Sequence, residues 1–228
     1  ALMIILTKIF PNSGSSWGIV LVLISGITMF IGNLSALQQS NPVRLLAYSS
    51  IAQAGFILAP LAIAGISGDY ADGIYASVTY LIIYAFMNLG AFLVVNVLIN
   101  TSGSSDIYEW GGLSKHQPLT AIFATVFFFS LAGIPPLGGW FAKFVVFRSL
   151  LSSGEVFGTT LAIIGAINAV IGLVFYARIS KNIWMDAPSE HIEITTKNTL
   201  LSPLKVVGFI SLVVTLIAGI FPNLFSYL

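Results

Sequence analysis

Lys143 is the residue whose type and position most strongly indicate chemistry. It lies about eight residues, or roughly 12 Å, from the end of a largely apolar stretch that runs from Leu119 to Leu151. A lysine side chain spans about half that distance, so its amine cannot reach the membrane surface by snorkelling. An amine held in hydrocarbon is costly when charged and can exchange its proton with water or a neighbouring group. We therefore predict that Lys143 is a proton relay, whereas Arg148, nearer the helix end, fits snorkelling equally well.

The stretch that carries Lys143 is too long for one straight membrane helix. Residues 119–151 would measure about 50 Å, against a hydrocarbon core of about 30 Å. Two prolines in its middle remove backbone donors, and three glycines weaken a helix. We expect two half-helices around a break that is tolerated at this depth only where protein or water meets the backbone, as in many ion carriers. The break residues are Gly133, Pro135, Pro136, Gly138 and Gly139.

Other polar residues at membrane depth could extend a path from Lys143. Three of them recur every fourth residue on one helix, and two more share a face of the preceding helix. One further residue precedes the break, and another lies in a later span. These candidates are Tyr80, Tyr84, Asn88, Ser49, Gln53, Ser130 and Asn168. Taken singly, each is explained at least as well by hydrogen bonds that hold neighbouring helices together.

Several kinds of chemistry are excluded by residue type. Cysteine is absent, so the chain offers no disulfide, thiolate zinc site or iron–sulfur cluster. His116 and His191 lie in loops without partners at metal-binding spacing. Every acidic residue falls in a loop or near a helix end, so any countercharge for Lys143 must come from another chain or be replaced by water. We expect no redox cofactor and no metal in this chain.

The composition requires a membrane. The 228 residues are 57% hydrophobic and 7% charged, far less charged than a soluble domain. A net charge of +1 gives no basic field for nucleic acid. We therefore expect a single membrane domain, residues 1–228, whose partners are lipid and other membrane subunits.

The apolar pattern predicts an all-α bundle of about six spans. They cover residues 17–37, 45–66, 73–99, the discontinuous helix 119–151, 158–179 and 204–220. Residues 1–10 look like the end of a preceding helix, so we interpret the chain as the C-terminal part of a longer or split polypeptide. Alternating these spans places six basic residues at one membrane face and two at the other, which favours the first face as cytoplasmic. The six are Arg44, Lys115, Arg178, Lys181, Lys197 and Lys205, and the two are Lys8 and Arg148.

Three segments in order carry a resemblance to a known family. Residues 44–51 read RLLAYSSI, residues 84–92 read YAFMNLGAF, and residues 131–144 read LAGIPPLGGWFAKF. They resemble the antiporter-like subunits of respiratory complex I, and look most like subunit N, called subunit 2 in mitochondria. The resemblance covers essentially the whole chain. Two positions depart from it, since Val43 and Gln53 stand where many members have lysine and histidine.

The resemblance implies a fourteen-helix fold built of two inverted five-helix repeats, of which this chain holds the C-terminal part. A separate chain could supply the first half. In that family the lysine of the broken helix belongs to a central axis of lysines and water, and Lys143 matches it. The implied function is proton translocation coupled to quinone reduction by NADH, in a bacterial plasma membrane or mitochondrial inner membrane, with a photosynthetic membrane also open. Mrp-type sodium/proton antiporter subunits and membrane-bound hydrogenase subunits share these motifs and are the alternatives.

Overall fold

The computed structural model describes residues 5–6, 13–187 and 202–225, and within them the chain is all-α, as predicted. Lys8, His191, Lys197 and most of the predicted preceding helix lie outside the described residues. Short 3-10 turns occur at Ile107–Glu109 and Pro222–Phe225. The helices are α1 Gly14–Leu37, α2 Pro42–Ser67, α3 Tyr70–Ser102, α4 Leu113–His116, α5 Pro118–Ala132, α6 Gly138–Ser152, α7 Val156–Met185 and α8 Ser202–Ile220.

These helices match the six predicted spans. Helices α1, α2, α3 and α7 are each long and apolar enough to cross a membrane. Helices α5 and α6 are the two halves of the discontinuous span, and α8 is a shorter apolar helix. Helix α3 continues beyond its predicted end to Ser102, and the hydroxyls of Thr101 and Ser102 bond the carbonyls four residues back at 2.8 Å. Polar residues can therefore extend a helix past its apolar segment.

Local signals set the helix ends on either side of α2. Asn41 caps the start of α2 by accepting hydrogen bonds from the amides of Val43 and Arg44, both at 3.0 Å. The helix ends at Gly68, whose φ of +83° is a left-handed conformation that glycine adopts without strain. Asp69 then caps α3 by accepting from the Asp72 amide at 3.2 Å. The α2–α3 turn is therefore short, and the two helices run antiparallel.

Helix α2 is the most enclosed of the long helices. Helix α1 lies along it, and the approach is close because a Cβ on Gly32 would meet the backbone of Ala52. Helix α3 packs against α2, α6 and α8, while α7 packs against α1 and α5. Helix α6 contacts α2, α3 and α7. This arrangement brings the side chain of Lys143 into the interior of the bundle.

The two ends of the bundle carry different charged groups. At one end, the Arg178 guanidinium donates to the Gln39 carbonyl in the α1–α2 turn at 3.1 Å. At the other, Arg148 near the end of α6 forms a 2.8 Å ion pair with Asp72 at the start of α3. We call these the Arg178 end and the Arg148 end. The proposed topology makes the Arg178 end cytoplasmic and the Arg148 end the opposite face.

Candidate functional site

The Lys143 amine lies in the interior, at the carbonyl end of a half-helix. The residue is 6% exposed. Its Nζ donates hydrogen bonds to the carbonyls of Leu131 at 3.1 Å and Ala132 at 2.7 Å, the last two residues of α5. The same nitrogen lies 5.3 Å from the centre of the Phe56 ring on α2. The Lys143 amine is therefore held by backbone oxygens and an aromatic face.

The end of α5 is suited to a cation. Gly133 has φ +92°, and its amide closes the helix on the carbonyls of Phe129 and Ser130. The last carbonyls of a helix lack intrahelical donors and form the negative end of its dipole. A Cβ on Gly133 would lie 2.8 Å from Lys143 Cδ, so the lysine stem occupies the space that glycine leaves open. The helix break thus creates both the acceptors for the amine and the room for its stem.

The other break residues join the two half-helices. The Gly139 amide at the start of α6 donates to Ser130 Oγ at 3.0 Å, and that hydroxyl lies 3.4 Å from Met87 Sδ on α3. Gly138 allows close packing, since a Cβ at this position would lie 2.8 Å from the Thr215 carbonyl oxygen of α8. Pro135 and Pro136 are exposed in the turn. Gly138 and Gly139 therefore allow α6 to pack closely against α5 and α8. The sequence alone predicts only that these glycines weaken a helix.

Two predicted path residues connect to the lysine through a backbone oxygen. Gln53 Nε2 donates to the Leu131 carbonyl at 3.3 Å, the same oxygen that accepts from Lys143. The Tyr80 hydroxyl donates to Gln53 Oε1. Both side chains are buried. Helices α2, α3, α5 and α6 thus share one hydrogen-bonded network at the break.

Tyr176 belongs to the same region, although sequence reasoning missed it. Its hydroxyl forms a hydrogen bond with that of Ser49, one turn of α2 from Gln53. It is 1% exposed, and its ring stacks on Phe128 with centroids 6.1 Å apart. The sequence contained one clue to its role. Tyr176 lies inside the apolar 158–179 span, close to the point where polar side chains begin again.

The remaining candidates lie apart from this network. The Tyr84 hydroxyl is buried near Ser50. It forms no well-aligned hydrogen bond with any described residue. Asn88 is half-buried, and no described hydrogen bond joins it to Lys143. Asn168 Oδ1 accepts from Asn33 Nδ2 at 3.0 Å, which fixes α7 to α1. Asn33 was not predicted, because it stands alone in an apolar span.

No countercharge for Lys143 is found within residues 13–187 and 202–225. Ion pairs there include Arg148–Asp72 at 2.8 Å and Lys181–Asp186 at 3.0 Å, both partly exposed. That same part of the chain holds no group of three histidine or acidic residues that could bind a metal. The carbonyl end of α5 is the electrostatic partner that this chain gives to the amine.

Replacing Asn168 with alanine is expected to destabilise the bundle. The Asn33 amide would lose its side-chain acceptor and keep only the Asn168 backbone carbonyl, at 3.1 Å, so the loss is that of one buried hydrogen bond, about 0.5–1.5 kcal/mol. The loss can be measured as a lower unfolding midpoint in detergent. Thr160→Ala is the control, because that hydroxyl is exposed and bonds only within its own helix. Equal midpoints for the two variants would contradict the role of the asparagine pair.

The fold and the site together define a class: a polytopic membrane protein with a discontinuous helix, whose half-helix carbonyls bind a buried lysine amine. This architecture is found among ion transporters. The chain belongs to the NADH:quinone oxidoreductase/Mrp antiporter transmembrane family, whose model matches residues 1–172.

Curated relatives show which members of this family the chain is similar to. NADH-quinone oxidoreductase subunit N of Heliobacterium modesticaldum is 35% identical over 212 residues, which are 93% of this chain and 42% of the relative. Subunit N of Anaeromyxobacter sp. is 40% identical over 77% of this chain and 34% of its own. NAD(P)H-quinone oxidoreductase subunit 2 of Synechococcus sp. is 36% identical over 97% of this chain and 41% of the relative. The chain spans about two fifths of the length of such relatives.

Solved structures share the fold. The Mrp complex of Dietzia sp. contains a chain that matches with a TM-score of 0.78 at 24% identity, over 93% of this chain and 46% of that one. A chain of respiratory complex I of Thermus thermophilus matches with a TM-score of 0.75 at 18% identity, over 95% of this chain and 43% of that one. The predicted membership of the antiporter-like family is confirmed.

Proposed function

We propose that this chain is a proton-translocating, membrane-arm subunit of a complex I-like NADH:quinone oxidoreductase. The observation that carries the proposal is Lys143, a buried amine bound by the free carbonyls of a broken helix. The curated relatives are named as subunits of quinone oxidoreductases. In this role the chain serves the enzyme as a translocase subunit, binds no redox cofactor and transfers no electrons.

The protonated state of Lys143 matches its surroundings. An ammonium satisfies the carbonyls of Leu131 and Ala132, whereas a neutral amine is a weaker donor and releases them to other partners. Gln53 already donates to one of these oxygens and can also hold water. Because no carboxylate balances the charge in the described residues, a nearby charge or a change in hydration would move the proton readily. Neighbouring subunits would supply that change as quinone is reduced.

The relay on the Arg178 side of Lys143 runs through hydroxyls. Tyr80 and Gln53 are bonded to each other, and Ser49 and Tyr176 form a second pair one turn further along α2. Water between these pairs would connect them into a route toward the Arg178 end. Asn88, Asn168 and Ser130 remain path candidates, with Ser130 already engaged at the half-helix joint.

The partners follow from the length of the chain. It matches about two fifths of the length of its curated relatives, and a separate chain that supplies the first half of the fold is one proposed partner. Other membrane-arm subunits and lipid would cover the outward apolar side chains of α1 and α7. The complex would lie in a bacterial plasma membrane, a mitochondrial inner membrane or a photosynthetic membrane.

An Mrp-type sodium/proton antiporter subunit is the second candidate, since the family and the fold include that class. A hydrogenase-linked antiporter-like subunit is a related form. The test is to purify the chain with the subunits that accompany it and reconstitute the assembly in vesicles. Quinone-dependent NADH oxidation that acidifies one compartment would support the pump. Sodium-driven proton exchange without quinone reduction would replace the proposal with the antiporter.

Replacing Gln53 with leucine is expected to slow proton transfer. Leucine cannot accept from Tyr80 or donate to Leu131, so the hydroxyl and the carbonyl lose a partner inside the bundle. Protons moved per NADH oxidised should fall, and Gln53→His should retain most of the flux because an imidazole can relay protons. Full pumping by the leucine variant would remove Gln53 from the path.

A further inference from the structure

A loop between α3 and α4 lies across the Arg178 end of the bundle, and we call its residues 104–111 the strap. One residue ties the strap to two separate elements. The Ile107 amide donates to the Ser40 carbonyl in the α1–α2 turn at 3.0 Å, and the Ile107 carbonyl accepts from Asn182 Nδ2 on α7 at 3.1 Å. The strap therefore joins the α1–α2 turn to the end of α7.

Two apolar side chains of the strap are buried in the bundle. Ile107 and Trp110 are both at 0% exposure and belong to the hydrophobic core. Trp110 Nε1 donates to the carbonyl of Ser104 at 3.2 Å, so the polar atom of the indole has its partner inside the strap. The two side chains fill the space below the strap, and the indole would keep its hydrogen bond if the strap moved as a unit.

The outer contacts of the strap are polar. The Arg178 guanidinium donates to the Gln39 carbonyl at 3.1 Å, and its carbon lies 5.9 Å from the centre of the Tyr108 ring. Tyr108 is 59% exposed, and Arg178 Nε has no hydrogen-bond partner in the described part of the chain. Water replaces contacts of this kind readily, so they hold the strap only weakly against opening.

Part of the polar network lies close below the strap. Tyr176 is six residues before Asn182 on α7, about 9 Å along the helix axis. Its hydroxyl is the partner of the Ser49 hydroxyl. Ser180 lies between Tyr176 and Asn182, is 5% exposed and donates to the Tyr176 carbonyl at 3.1 Å. The strap thus lies between this hydroxyl pair and the Arg178 face.

We propose that the strap is a gate on the Arg178 side of the bundle. Closed, as in this structure, it separates the Ser49–Tyr176 pair from the water at that face, and during turnover it opens and lets water reach the pair. This rests on the proposed function. Opening breaks the hydrogen bonds of Ile107 and the contact of Tyr108 with Arg178, and it changes no covalent bond. A gate of this kind lets the network meet the two membrane faces at different times, as alternating access requires.

A buried thiol below the strap tests whether the strap is a cover. Ser180→Cys is compared with Ser149→Cys, since both serines are 5% exposed and Ser149 lies at the Arg148 end. Each is combined with Asn182→Ala, which removes the donor to the Ile107 carbonyl. Alkylation of the complex in detergent is followed by mass spectrometry of this chain's peptides.

The alanine should act on one thiol and not on the other. At position 180 the alkylation rate should rise roughly tenfold or more, because a thiol that water reaches ionises and reacts more readily. At position 149 the rate should stay the same, since that end of the bundle does not contact the strap. An unchanged rate at position 180, or an equal rise at position 149, would overturn the role of the strap as a cover.

A reversible cross-link tests whether the strap must move. Ser40→Cys and Ser105→Cys place thiols on the α1–α2 turn and on the strap, at exposed side chains with no described hydrogen bond. Ser105 is two residues from Ile107, whose amide bonds the Ser40 carbonyl. The chain has no native cysteine, so a cleavable bifunctional thiol reagent can join these two positions in the assembled complex.

The cross-link should lower the protons moved per NADH oxidised to the level of a Lys143→Ala complex, and its cleavage should restore the native number. Each single cysteine variant, treated with the same reagent, should pump normally. An equal loss in a single variant would count against the gate, because no link then holds the strap. Native pumping by the linked complex, while Lys143→Ala lowers it, would overturn the gate and leave the relay function intact. Unchanged pumping by Lys143→Ala would instead overturn the proposed function itself.

Discussion

Replacing Lys143 with alanine is expected to lower proton flux through this chain by roughly 10²-fold or more, the usual loss when a proton-transferring group is removed. Alanine offers no exchangeable proton, and the carbonyls of Leu131 and Ala132 lose their donor. The measurement is the number of protons moved per NADH oxidised by the reconstituted complex. Assembly is checked on the same sample, because the unpaired carbonyls also weaken the break.

Arg148→Ala is the matched control for this experiment. It removes a second cation from the same helix, but that side chain is half exposed and its partner is Asp72. The number of protons moved per NADH oxidised should fall far more with Lys143→Ala than with Arg148→Ala. An assembled Lys143→Ala complex with an unchanged ratio would assign the lysine a structural role as the cap of α5.

Gly133→Ala is expected to reduce both stability and pumping. Its φ of +92° lies outside the range that alanine favours, which costs about 1–2 kcal/mol. The new Cβ would also lie 2.8 Å from Lys143 Cδ and 3.2 Å from Nζ. The amine would have to move away from the carbonyl end of α5, so protons per NADH should fall more than the stability loss alone explains.

Gly103→Ala separates these two effects. Gly103 ends α3 with φ +70°, and nothing lies within 4 Å of the point that a Cβ on this residue would occupy. Both alanine variants should lower the unfolding midpoint through the backbone conformation, and the Gly133 variant should lower it further because of its contact with Lys143. The Gly103 variant should pump normally, and equal pumping by the two would show that the space beside Gly133 has no role in placing the amine.

The spans, the break and the burial of Lys143 were predictable because they follow from local properties. Apolar length sets the spans, and the prolines and glycines of residues 133–139 set the break. The lysine is deep because it lies near the middle of the stretch. Its binding partners were not predictable, since they are backbone carbonyls that become free only when the chain turns at Gly133.

Periodicity gave only part of the polar network. Residues four apart on a helix drift by about 40° per step, so Tyr80 faces inward while Asn88 has turned toward the edge of the bundle. Tyr176 and Asn33 were missed because each is one polar residue in an apolar span. Their hydrogen bonds join residues 127 and 135 positions apart, and no local pattern encodes such a pairing.

The decisive measurement is infrared difference spectroscopy of the complex during quinone-driven turnover, with lysine labelled at the side-chain nitrogen by ¹⁵N. If Lys143 gives up and regains its proton, the native complex will show an ammonium band that shifts with the label and is missing in Lys143→Gln. If the native and Lys143→Gln spectra agree in that region, the amine keeps one protonation state throughout and proton passage at this lysine is contradicted.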